Sequence, residues 1–409
     1  MLEEYNPSQA EYIEHLRYLI GCKTTTVDPR QTVPDITLRR EFERAFSYIK
    51  SATLAAETRL GRRFWREEFD VDGRLSFVIS THPTKTPDIC ILIHMDVVDA
   101  PEELFILQTD PHNENIVVGR GVYDMKFAAV IAILMLEHLP MERDRLSVAI
   151  IITSDEEKGG AKGAKYVREQ GYLPKLLIVP DGGTLDRFAS GSKGAHFFSI
   201  HTRGLPTHGA YPWRGVNADN MLTRIKASLL DIYPESSGYS EKETLNIGAS
   251  HAGGDAPNNV PRSASALFDF RFTAIEEEIR LKERVDAILR GVVATTLQTK
   301  PWALLLKEEE KPSATYSFIT RKDILLRDMS HPDIQRFKFL REKRLGHVIK
   351  VGLDMGTNDA SFWAEVPTIF TMPMGGNEHT ISEWLDLQSA HDFAEDLVQF
   401  IQEKNQASL

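Results

Sequence analysis

Three apolar runs of strand length each end in residues that can bind or orient a metal. Ile89 to Ile93 ends in His94-Met95-Asp96, Val148 to Thr153 runs into Asp155-Glu156-Glu157, and Leu176 to Val179 ends in Pro180-Asp181. In open α/β sheets, ligand sites form beyond the carboxyl ends of the strands. Strand ends that deliver carboxylates and a histidine to one edge assemble a polynuclear metal site.

Each segment alone also has a plainer role. His94 and Asp96 stand at i and i+2 of a strand and share a face, so the aspartate can brace a metal-binding imidazole; a lone His-x-Asp can equally be core. Gly119-Arg120-Gly121-Val122-Tyr123-Asp124-Met125-Lys126 places Asp124 at the start of an apolar helix, as an N-cap, a ligand or both. Asp155-Glu156-Glu157 suits a solvated acidic loop or a dication, with one glutamate as ligand and its neighbour free as a base. The same alternatives hold for Asp181, which precedes Gly182-Gly183. His379, in Gly375-Gly376-Asn377-Glu378-His379, could be an ordinary surface histidine. Taken together, two histidines and several carboxylates suit a two-metal hydrolytic centre, whose ions stand about 3.5–4 Å apart.

The elements that must position these residues alternate. Helices are expected from Ser8, from Thr37 towards Gly61, over Met125 to Leu139 and over Gly159 to Gln170. Strands are expected over Arg74 to Thr81, Asp88 to Ile93, Leu146 to Thr153 and Leu176 to Val179. This predicts an α/β domain with a mainly parallel sheet between helices. After Gly191 the style changes to β-α-β-α-β: a half-exposed strand over His196 to Thr202, a helix from Asn217 to Tyr233, a strand over Ala264 to Thr273, a helix over Glu276 to Arg290 and a last strand over Trp302 to Leu306. A helix over Pro332 to Leu345, a strand over Val366 to Met372 and a helix over Ser389 to Lys404 then resume the first style. The simplest organisation is a catalytic domain, 1-191 and 311-409, with an α+β domain, 192-310, inserted.

Composition narrows the class. The chain has 409 residues, 42% hydrophobic, with 48 basic and 59 acidic residues and a net charge of -11. That argues against a nucleic-acid or an anionic-membrane partner. The basic cluster Arg341-Glu342-Lys343-Arg344 reads as a solvated helix face. Cys22 and Cys90 are no disulfide framework; Cys90 belongs in the core. The acidic start, Met1-Leu2-Glu3-Glu4-Tyr5-Asn6-Pro7, lacks a signal-peptide apolar region, and a soluble, cytoplasmic protein is expected.

The order of these blocks resembles the di-zinc aminoacylase/carboxypeptidase family. That family includes glutamate carboxypeptidase, peptidase T, carnosinase-type dipeptidases, acetylornithine deacetylase and succinyl-diaminopimelate desuccinylase. The resemblance runs from about Ser8 to Phe400. It implies two Zn²⁺ per subunit, with Co²⁺ or Mn²⁺ as substitutes. Asp124 would bridge the metals, His94 and Asp181 would complete one site, and Glu157 and His379 the other. Asp96 would orient His94, Glu156 would act as general base, and the Asp124-Met125 peptide would be cis. In the inserted, ferredoxin-like lid, Gly204 to Asn217 matches the block whose histidine, here His208, reaches a partner subunit's site in dimeric members. Asn259, Arg271 and Gly356 match substrate-binding segments, with Arg271 suited to a substrate carboxylate.

The resemblance also implies a homodimer through the lid and a small peptide or N-acyl amino acid as substrate. Ile93, Asp99 and Phe127-Ala128 depart from the family pattern without removing a ligand. Asp181, where deacylases and carboxypeptidases of the family usually carry glutamate, tilts the expectation towards a dipeptidase or exopeptidase. The alternatives are a deacylase or desuccinylase, or a non-catalytic relative that binds amino acids or peptides.

Overall fold

The computed structural model describes residues 7–25, 36–138, 146–235, 238, 242–253 and 256–407. The readings of the first six residues and of Leu139 lie outside the described residues. The main strands in chain order are β1 (Trp65–Val71), β2 (Arg74–Ser80), β3 (Ile89–His94), β4 (Val148–Thr153), β5 (Leu177–Val179), β6 (Gly194–Arg203), β7 (Thr244–Ala252), β8 (Ser263–Phe272), β9 (Ser313–Lys322) and β10 (Thr368–Phe370). The main helices are α1 (Gln9–Ile20), α2 (Ile36–Leu60), α3 (Lys126–His138), α4 (Ala218–Ile232), α5 (Ile275–Thr299), α6 (Pro332–Leu345) and α7 (Leu387–Ala407). The chain forms two compact units, one from the residues up to Gly191 with those from Leu326 onward, the other Ser192–Leu325.

The first unit is built on a six-stranded sheet of order β1-β2-β4-β3-β5-β10. β4, β3, β5 and β10 run parallel, while β1 and β2 form an antiparallel ribbon at one edge. β3 and β4 are apolar over nearly their whole length and buried at every residue, as strands covered on both faces must be. Each isoleucine or leucine buried there contributes roughly 1.5–3 kcal/mol. α3 is apolar nearly all round and packs against α1, α2, α7 and β3. α1 starts at a capping box, in which the Ser8 hydroxyl accepts from Glu11 N and the Glu11 carboxylate accepts from Ser8 N. Because β3 and β4 are parallel, with His94 opposite Thr153, their carboxyl ends fall on the same edge.

The second unit is an antiparallel sheet of order β7-β8-β6-β9, with α4 and α5 sharing its apolar core. This is the ferredoxin-like arrangement. Phe198 of β6 and Phe268 of β8 stack at 4.8 Å between ring centroids inside it. β6 is a central strand and mostly buried, not half-exposed.

Two further expectations are corrected. Pro301–Leu305 is a 3₁₀ turn and the last strand of this unit is β9. Pro301 has a fixed φ and no N–H, which suits the first turn of a helix, and Leu304 and Leu305 point into solvent. The chain accordingly returns to the first unit at Leu326, later than residue 310. The basic cluster of α6 is a solvated face only in part: Lys343 and Arg344 are exposed, but Arg341 is fully buried and donates to Asp396 Oδ2 at 3.1 Å, while Arg344 donates to Asp396 Oδ1 at 2.6 Å. Cys22 and Cys90 are free and buried. No helix among the described residues is long and apolar enough to cross a membrane.

Candidate metal centre

His94 closes β3 and is 2% exposed. Its Nδ1 donates to the main-chain oxygen of Asp96 at 3.0 Å, which turns Nε2, the nitrogen that would ligate a metal, towards Asp124. The orienting contact expected from the Asp96 carboxylate therefore comes from its carbonyl; Oδ1 stands 3.6 Å from Nδ1. The carboxylate instead accepts the backbone N–H groups of Glu156 (3.2 Å) and Glu157 (2.9 Å), tying the end of β3 to the turn beyond β4.

Asp124 stands two residues before the start of α3, after a loop, and its peptide bond to Met125 is cis. Its two carboxylate oxygens face different histidines. Oδ1 is 3.0 Å from His94 Nε2, and Oδ2 is 3.1 Å from His379 Nε2. Asp181 Oδ2 lies 4.0 Å from His94 Nε2, and Glu157 Oε1 lies 3.1 Å from His379 Nε2. Two donor triads result, His94–Asp124–Asp181 and Asp124–Glu157–His379, with the donor atoms of each within 4.8 Å of one another. Ligands on a tetrahedral ion at 2.0–2.1 Å stand roughly 3.3 Å apart, so the observed separations fit a divalent ion in each triad. The mix of imidazole and carboxylate suits zinc and also accommodates cobalt or manganese.

The charges call for cations. Burial alone would lower the His94 imidazole, but the Asp124 and Asp96 carboxylates outweigh it and hold His94 well above its usual value. Burial would raise Asp124, yet His379 and His94 hold it below the usual carboxylate range. Burial and the charges of Asp124 and Glu156 push Asp181 well up. Hydrogen bonds to Asp124 and Glu157 raise His379 to about 10. The fold thus crowds Asp124, Glu156, Glu157 and Asp181 around two histidines that act as stand-in cations.

Buried charges secure the loops. Glu383, 1% exposed, accepts from Arg120 Nη1 (2.7 Å) and from the backbone N–H groups of Gly121, Tyr123 and Asp124, each at 3.0 Å. Lys126 is fully buried and donates to the carbonyls of Leu19 (3.0 Å) and Cys22 (2.7 Å) at the end of α1. A cation suits the carbonyl-rich end of a helix, although burial lowers this ammonium to about 8. Sequence reasoning did not single out Glu383, and nothing in its neighbours Ser382 and Trp384 marks it. On the Asp181 side, the Asn358 side chain donates to Asp181 O, and Asp354 Oδ2 accepts from Gly183 N at 2.7 Å. Gly183 has φ 75°, and a Cβ there would meet Arg187 O at 2.6 Å, so the turn requires glycine. Gly356 lies between Asp354 and Asn358, with open space where a side chain would stand.

The remaining three residues belong to the second unit. His208 and Asn259 face each other across an antiparallel bridge, and His208 Nδ1 accepts from Ala210 N at 3.1 Å. Arg271 donates to both oxygens of Asp269 (2.7 and 3.0 Å) and lies over the Phe197 ring. The first unit brings together His94, Asp96, Asp124, Glu156, Glu157, Asp181 and His379.

Comparison with known proteins agrees with this architecture. The model of peptidase family M20/M25/M40 matches residues 90–403. Succinyl-diaminopimelate desuccinylase of Rickettsia akari is 25% identical over 299 residues, 68% of this chain and 73% of that one. A tripeptidase from Staphylococcus aureus superposes with a TM-score of 0.74 at 16% identity, over 98% of this chain and 99% of its own. The YXEP protein of Bacillus subtilis, described as a dinuclear metal binding peptidase, does so with a TM-score of 0.61 at 14% identity, over 98% and 99%. The chain belongs to peptidase family M20/M25/M40, and the protein is a metal-dependent hydrolase.

Proposed function

We propose that the protein hydrolyses an amide bond of a small peptide, as a dipeptidase or exopeptidase, with two Zn²⁺ held by His94, Asp124, Glu157, Asp181 and His379. The observation that carries this reading is the division of the Asp124 carboxylate between His94 and His379. One carboxylate shared between two donor triads is the arrangement that holds two ions a few ångströms apart. Divalent ions held there would polarise the scissile carbonyl and acidify a water molecule.

The chain's own groups do the rest. Glu156, outside both triads and held by its N–H on Asp96, takes the proton of the attacking water and passes it to the leaving amine nitrogen. His208 donates to the oxyanion. Asn259 contributes a polar contact to the substrate, and Arg271 exchanges Asp269 for the substrate's α-carboxylate. The protein acts as a homodimer through its second unit, in a reducing cytoplasmic setting where Cys22 and Cys90 stay thiols. Full activity in a species of monomeric mass by light scattering would overturn the dimer.

A second reading, hydrolysis of an N-acyl amino acid such as an N-succinyl one, is favoured by the desuccinylases among the sequence relatives. Asp181 in place of glutamate favours the peptidase. The deciding experiment is turnover by the zinc-loaded protein against dipeptides and N-acetyl, N-succinyl and N-carbamoyl amino acids. Cleavage of dipeptides that stops with chelator and returns with Zn²⁺ is expected. Turnover confined to an acylated panel member would transfer the assignment to the deacylase.

A further inference from the structure

We infer that Arg120 and Glu383 form a buried clamp that sets the separation of His379 from Asp124, and so makes the Asp124–Glu157–His379 triad competent for its metal. This rests on the metal-centre reading above. The two segments joined are far apart in sequence. One is the loop Gly119 to Asp124. The other is the loop Gly376 to Glu383, which is mostly exposed except at its foot. His379 is the ligand this second loop contributes, and it is the most exposed of the five, its side chain 53% accessible. Its backbone lies at φ 63° and that of Asn377 at φ 60°, a region that costs a non-glycine residue free energy. A loop of that kind does not hold an imidazole in place unless its surroundings over-determine it.

The clamp supplies that constraint. The Arg120 guanidinium donates through Nη1 to Glu383 Oε2 at 2.7 Å and through Nη2 to Thr380 O at 3.0 Å, and Thr380 directly follows His379. One planar fork therefore grips the foot of the loop and the residue next to the ligand. Glu383 in turn collects the N–H groups of Gly121, Tyr123 and Asp124, the last belonging to the bridging ligand itself. Gly119 N also donates to Glu383 O at 3.2 Å. Among the described residues, the hydrogen bonds of the Glu383 carboxylate all come from donors on the Asp124 loop. Arg120 is 3% exposed and Glu383 1%, so water cannot replace either partner. A buried pair of this kind is a poor source of net stability, but its bonds here join the two ligand-bearing loops directly. Both are positioning residues: neither is one of the five ligands, and they act through Asp124 and His379.

The test measures metal affinity in the full-length protein by chelator competition with Zn²⁺, for the parent, Glu383→Gln and Arg120→Lys. The melting temperature of each metal-free protein is recorded alongside. Glutamine turns one acceptor of Glu383 into a donor facing donors. Lysine keeps the charge but cannot span Glu383 and Thr380 together. The parent is expected to take two ions. Each variant is expected to hold one within about threefold of the parent and the other about 10–100-fold more weakly, the usual effect of removing a group that orients a ligand. Two ions bound as in the parent, whatever the change in melting temperature, would show a merely structural pair and overturn the inference. Equal weakening of both ions would overturn the assignment to the His379 side. If Glu383→Gln fails to fold, Arg120→Lys decides. A parent that binds no ion would overturn the metal-centre reading itself, and the clamp with it.

Discussion

The Asp96 carboxylate accepts the backbone N–H groups of both Glu156 and Glu157, at 3.2 and 2.9 Å. One side chain at the end of β3 thus positions the proposed base and a proposed ligand beyond β4. Asp96→Asn would put an amide N–H₂ against one of those N–H groups. We expect a 10–100-fold loss of metal affinity and a comparable fall in kcat/KM. Isothermal titration with Zn²⁺ checks the first and steady-state kinetics the second; parent-like values in both would remove Asp96 from the site's support.

Glu156 lies in neither donor triad, so its replacement should separate chemistry from metal binding. Glu156→Gln is predicted to keep both metals and to lower kcat by about 10²–10⁴-fold. A variant that retains its metals and most of its turnover would show that another group moves the proton.

Metal removal should be visible without any substrate. Ions that bind the folded chain at a hundredfold excess over their dissociation constants stabilise it by about 2.7 kcal/mol each, through mass action alone. Chelation is therefore expected to lower the melting temperature by several degrees, reversibly on adding Zn²⁺. A melting temperature indifferent to chelator in a protein shown to carry metal would contradict this.

The second unit carries its own pH response. Glu278, 4% exposed, accepts from His196 (2.7 Å) and Arg321 (2.8 Å) and pairs with Lys282 (3.1 Å). Burial alone would raise its carboxyl; those three donors pull it from 4.5 to about 2. Burial lowers His196, an effect that Glu278 only partly offsets. Both groups bind fewer protons folded than unfolded, so both lose stability as pH falls. His196 does so below its ordinary 6.5. Glu278 does so from about 4.5 down through about 2, a contribution on the order of 3 kcal/mol. Thermal unfolding between pH 7 and pH 3 should show Glu278→Gln losing less stability than the parent, the two curves converging in acid. Parallel curves would exclude the network as the cause.

What the sequence made legible was what strands and helices carry locally. His94, Asp155 to Glu157 and Asp181 follow apolar runs, and apolar runs of strand length in a parallel sheet end on one edge. Asp124 and His379 needed the resemblance, because a residue before a helix and a histidine in a polar loop each have commoner roles. Glu383 was illegible, since its importance lies in donors on a loop more than two hundred and fifty residues earlier. Arg341 looked solvated for the same reason, because its partner Asp396 lies on another helix. The false strand at Trp302 came from weighing apolar residues above the proline that precedes them.

β6 and β9, the first and last strands of the second unit, pair directly, with Ala195 opposite Lys322. Antiparallel partners at such a position stand about 5 Å apart. The polypeptide therefore leaves this unit beside the point at which it entered. In topological terms the unit is a closed detour, which can be lengthened, exchanged or excised with little change in the distance the rest of the chain must span. Evolution could vary this module while the metal-bearing sheet kept its strand order. A protein engineer could join residue 191 to residue 326 through a turn of a few residues and ask whether zinc still binds.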